Sequence, residues 1–161
     1  MEVQVKKTNN DGIKVKGMFR VRIVNPDGTF AGDSGWNENL VTDLGFNKYL
    51  VSALGSIAGS LYISHIGLGT GSAPGAAHTD LDGEVGTRQA VTVATSATSK
   101  TLRCTATFAA GWHSSGVAHA ISNIGLFNSV SAGTLFAGTT YASSSCASNQ
   151  AVNTTYDITF A

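Results

Sequence analysis

Apolar and polar side chains alternate along residues 13–23: Ile13, Val15, Phe19, Val21 and Ile23 fall on one parity, and Lys14, Lys16, Met18, Arg20 and Arg22 on the other. A period of two sustained over this length predicts a long half-buried strand whose outer face is basic. Gly17 interrupts the apolar row and marks a bulge or a close approach of another backbone. Asn25-Pro26-Asp27-Gly28 then predicts a type I turn, with Pro26 setting φ at the second position and Gly28 closing it.

The period changes once. Over residues 42–54, Phe46, Tyr49, Leu50 and Ala53 recur at three- and four-residue spacing, which predicts one short helix. Thr42 can cap its first turn, Asp43 suits the positive end of the dipole, and Gly55 is a stop. The remaining periodic stretches predict strands at 62–68, 88–94, 101–109, 120–128, 134–141 and 152–160, separated by loops of small residues such as 69–79. Leu102, Cys104, Ala106 and Phe108 oppose Thr101, Arg103, Thr105 and Thr107; Val152, Tyr156, Ile158 and Phe160 oppose Asn153, Thr155, Asp157 and Thr159. With roughly eight strands at such spacing, the chain is expected to be mainly β, an antiparallel β-sandwich or jelly-roll-like domain with one short α-helix. The expected organisation is an arm or edge strand at residues 1–12 and one domain over 13–161. Ile63-Ser64-His65-Ile66-Gly67-Leu68 is echoed by Ile121-Ser122-Asn123-Ile124-Gly125-Leu126. Two core strands with the same pleat and a glycine contact explain the echo better than duplication.

Composition narrows the function. The chain has 161 residues, enough for one domain with its own core, but only 12% of them are charged, against about 25% in an average soluble domain. Seven of the ten Lys and Arg residues lie within the first 48 positions, and Asp157 is the sole charged residue after Arg103. A net charge of zero supplies no general attraction to nucleic acid or to an anionic membrane. No apolar run approaches the ~20 residues of a bilayer span, and the first residues lack the apolar stretch of a signal peptide. The expectation is therefore a soluble protein made in the cytosol. There Cys104 and Cys146 are expected as partly buried thiols rather than a disulfide.

The candidate chemical motifs are weak. Gly32-Asp33-Ser34-Gly35 looks like the nucleophile loop of trypsin-like proteases, but every histidine follows it in the chain, whereas in that family base and acid precede the serine. The glycines of His65-Ile66-Gly67-Leu68-Gly69-Thr70-Gly71 lead into a loop, not into the helix N-terminus that a phosphate cradle needs. Asp80, Asp82 and Glu84 hint at an oxygen-ligand cation site but lack the acid spacing of an EF-hand; loop solvation or a Glu84–Arg88 pair is the favoured reading, with an inter-subunit Ca²⁺ as the alternative. His65, His78, His113 and His119 show no metal-ligand spacing. Trp36 and Trp112, both in glycine-rich surroundings, are candidate loop or interface aromatics, either as glycan platforms or packed under loops. No catalytic residue, metal ligand or cofactor is assigned. Lys14, Lys16, Arg20 and Arg22 are the candidate partner contacts, weighed evenly against a solvated strand face.

The order of segments resembles small β-rich virion proteins of tailed bacteriophages, of the capsid-decoration and tail-fibre kind. It rests on Asn39-Leu40-Val41-Thr42-Asp43-Leu44-Gly45, Ile66-Gly67-Leu68-Gly69-Thr70-Gly71, Thr79-Asp80-Leu81-Asp82-Gly83-Glu84, Ile121-Ser122-Asn123-Ile124-Gly125-Leu126-Phe127, Gly133-Thr134-Leu135-Phe136-Ala137 and Tyr156-Asp157-Ile158-Thr159-Phe160, and it covers about residues 38–160. The resemblance implies a structural protein with no active site. Because the chain offers one domain, a capsid decoration (cement) protein is expected: a homotrimer on the capsid exterior that clamps the major capsid protein. A tail-fibre or baseplate-associated receptor-binding protein is the alternative.

Overall fold

The computed structural model describes residues 14–51, 53, 55, 61–96, 98, 100–113 and 116–160. The expected arm at residues 1–12 lies outside the described residues. Among the described residues ten strands follow one another as β1 (Val15–Val24), β2 (Phe30–Asp33), β3 (Asn37–Val41), β4 (His65–Gly69), β5 (Glu84–Ala90), β6 (Thr92–Ser96), β7 (Thr101–Phe108), β8 (His119–Phe127), β9 (Leu135–Cys146) and β10 (Ala151–Phe160). The chain is mainly β, as the alternation predicts, and every strand pairing is antiparallel. Along the sheet the order is β5-β4-β8-β9-β3-β1-β10-β7-β6, with β2 sharing the edge of β1 that β3 also uses.

Two junctions turn this sheet into two facing layers. β3 pairs β1 through Asn37–Asn39 and then passes to β9 through Leu40 and Val41. At the opposite side, the expected single strand 88–94 is instead two strands, β5 and β6, which end different layers and are separated by Val91 alone. Val91 N–H donates to Ser64 C=O, which holds the corner. The sheet thus nearly closes on itself. Phe19, Ile66, Phe108, Ile124, Phe136, Val152 and Tyr156 fill the space between the layers.

Local chemistry explains the details. Gly28 N–H closes the predicted turn on Asn25 C=O. Gly17 faces Asn39 across the β1–β3 ladder, and a Cβ there would lie 1.6 Å from Asn39 Oδ1; the close approach, not a bulge, is the reason for the glycine. The two echoed segments pair with each other, Gly67 opposite Gly125.

The helix differs from expectation. Thr42 caps it as predicted, its Oγ1 accepting from Gly45 N–H at 2.9 Å. Regular structure then runs over Gly45–Val51 with the wider π spacing. That winding buries Gly45 and Tyr49, four apart, and leaves Phe46 exposed, because a wider turn rotates the i+3 position off the packed face. The carbonyl of Phe136, which a Cβ on Gly45 would strike at 2.1 Å, accounts for the glycine at the helix start.

Candidate interaction face

Alternation on β1 sends Phe19, Val21 and Ile23 into the core and leaves Lys16, Met18, Arg20 and Arg22 on the outer face. Register places Thr159, Asp157, Thr155 and Asn153 of β10 beside them, and Thr101, Arg103, Thr105 and Thr107 of β7 beyond. Glu38 stands opposite Met18, and Asp33 opposite Arg22. The face is a threonine- and asparagine-rich sheet with its charges gathered near the middle. Thr101 and Thr159 share a hydroxyl hydrogen bond of 3.0 Å, and Thr107 Oγ1 donates to Asn153 Oδ1 at 2.9 Å.

The basic face of the sequence is thereby partly neutralised. Arg20 grips Asp33 with both Nε and Nη2, the former at 2.8 Å, and Arg22 Nε lies 3.3 Å from the same carboxylate. The Arg20 bonds, seconded by Gly35 N–H at 2.9 Å, hold the Asp33 carboxyl well below the usual carboxylate range. On β7, Arg103 forms a second fork on Asp157, at 2.7 and 2.6 Å. Three guanidinium groups therefore share two carboxylates.

Trp36, 45% exposed, brings these pairs together. Its indole reaches from the β2–β3 turn to within 6.0 Å of the Arg103 guanidinium carbon. The turn is tied to β1 through Ser34, whose Oγ accepts from Val21 N–H at 2.9 Å and donates to Gly35 C=O at 2.7 Å. Asp33 and Ser34, the protease-like pair of the sequence, are thus an ion-pair acceptor and a turn clip. Arg20, Arg22, Trp36, Arg103, Asn153 and Thr155 line a pit of about 130 Å³. Phe30, 59% exposed, lies under the Arg22 guanidinium at 5.1 Å.

Of the candidate residues, Arg20, Arg22 and Trp36 meet at this pit. Lys16 stays on the same face near the start of β1, and Lys14 precedes the strand. Trp112 lies elsewhere. It packs edge-on against Phe108 at 4.9 Å and covers Gly86, where a Cβ would lie 2.6 Å from its ring. Arg103, Asn153 and Thr155 were not candidates; the alternation of 101–108 and 151–160 placed them on outer faces, but no local signal says which strands become neighbours.

Of the acidic cluster, Asp80 and Glu84 both face Arg88, Asp80 at 3.7 Å, while Asp82 is held separately. Asp82 accepts from Ser72 N–H and Oγ at 2.9 and 2.8 Å, and its carboxyl is held below its usual range by those two bonds. Glu84 takes Arg88 in a two-point pair at 2.7 and 2.8 Å, the pairing favoured from sequence. Arg88 is buried, stacks 3.4 Å from the Phe127 ring centre and donates to Ala132 C=O. Among the described residues, no group of three His, Cys, Asp or Glu side chains is placed to hold a metal ion. Cys104 and Cys146 are both free thiols, and they are fully buried where partial burial was expected. Among the same residues, no helix is long and apolar enough to cross a membrane. Comparison with family models, with curated proteins and with solved structures finds no match to this chain.

Proposed function

We propose that this chain is a structural protein of a phage virion, a cement protein that seats the outer face of β1, β10 and β7 on the major capsid protein. The observation that carries the reading is the clustering of Arg20, Arg22, Arg103 and Trp36, with their paired aspartates, near the middle of a broad Thr/Asn-rich sheet. Aromatic and arginine side chains surrounded by small polar ones have the composition of a protein-contact patch. The segment resemblance supplies the virion context and the trimeric state. Apolar contact would contribute about 25 cal/mol per Å² buried, set against the cost of association, and repetition over a shell would convert modest single contacts into firm attachment.

Quantifying the chain in purified particles tests the proposal. Hundreds of copies per particle, all on the head, are expected, and heads that carry none would refute it. One observation favours the alternative of a tail-borne receptor-binding protein: the exposed indole of Trp36 beside Asn153 and Thr155 also suits a sugar ring. A few to a few dozen copies confined to the tail would select that reading.

A further inference from the structure

The pit around Arg22 is built almost entirely from hydrogen-bond donors. Arg20 and Arg103 each spend Nε and Nη2 on an aspartate, and among the described residues Nη1 of each makes no further hydrogen bond. Arg22 makes no well-aligned hydrogen bond among the described residues, and its Nε is nevertheless shielded from solvent. Asn153 accepts from Thr107 through Oδ1 and so keeps its Nδ2 donor. Three guanidinium groups share two carboxylates in direct ion pairs, which leaves the pit locally positive, with Glu38 beside Met18 as the next carboxylate on the face.

We infer that this pit receives the carboxylate of an Asp or Glu side chain from the protein on which the face docks. Charge sets the sign of the ligand, and the planar forks suit a carboxylate. Size chooses the source. A pit of about 130 Å³ is well below the roughly 300–1,000 Å³ of pockets that enclose whole small ligands, so it suits one acidic side chain with Trp36 against its stem better than it encloses a whole sugar. The inference rests on reading this face as a protein-docking surface.

The test uses the intact, isolated chain, free of any particle. ¹⁵N spectra of the arginine Nε–H and tryptophan indole groups are followed during titration with N-acetylglutamate methylamide, its glutamine counterpart, glucuronate and inorganic phosphate. Saturable shifts of Arg22 and Trp36 with the glutamate probe alone are expected. Arg22→Gln should weaken that binding about tenfold, whereas Lys48→Gln, on the helix, should leave it unchanged; thermal melts confirm that both variants fold. Equal shifts with the glutamine probe, tighter binding of glucuronate, phosphate binding as strong as that of glutamate, or unaltered binding by Arg22→Gln would each overturn the inference. Because no virion enters this experiment, its failure is distinct from failure of the capsid location: the glutamate probe can bind in a chain absent from heads, and the reverse.

Discussion

Single residues whose neighbours leave no latitude are the most direct test of the packing. Gly17→Ala must displace the Asn39 side chain and should cost about 1–3 kcal/mol, read from chemical denaturation. Arg88→Met should cost more, about 3 kcal/mol, because it leaves Glu84 without its partner and two loop carbonyls without their donor. Cys104 and Cys146 should react with a thiol reagent only after unfolding, since both are buried and burial pushes the Cys104 thiol up to about 11; prompt labelling of the native chain would contradict this packing. His113 is buried, and desolvation, with His119 beside it, lowers its pKa from the ordinary 6.5. The unfolded chain therefore takes up that proton first, so stability should be full above about pH 6.5 and fall as the pH drops toward the depressed folded value. Melting temperature against pH, compared with His113→Phe, checks the sign. The glycine at 17 was visible in the sequence as an irregularity, but its cause was not, because Asn39 is brought opposite it only by the β1–β3 ladder.

At the scale of elements, β1, β7 and β10 were readable because one face is buried and the other is wet, which imprints a period of two. β2 and β3 were not, because these strands of four and five residues carry few apolar side chains and so display no period. The expected strand 88–94 proved to be two, since a change of layer at Val91 alters pairing without altering local propensity. β6 is one of the two ends of the sheet path among the described residues, β5 being the other, and Thr92–Thr95 carries neither charge nor proline. Such an edge invites pairing with other chains. Thr92→Lys should therefore reduce light scattering in concentrated samples without shifting the melt by more than about 0.5 kcal/mol.

Over the whole molecule, the sheet brings Arg20 and Arg22 from one end of the chain to Arg103 and Asp157 from the other and lays Trp36 across them. If the face is the docking surface, Trp36→Ala and Arg22→Gln should each weaken attachment to particles, while neither alters the fold, because both lie outside the core. Arg103→Ala should likewise weaken attachment and cost about 1 kcal/mol, as the Arg103 side chain is half exposed although its partner Asp157 is mostly covered. Unchanged particle binding by all three would move the contact to another surface. The sequence by itself determined the mainly β class, the parity of β1, β7 and β10 and the Thr42 cap, for these follow from periodicity and from chemistry within a few residues. Only the tertiary structure decided the strand order, the near closure at Val91, the packing of Trp112 on Phe108 and the three-arginine pit. Each of these depends on which distant strands pair, and pairing is selected by the packing of the whole core, not by any local run of residues.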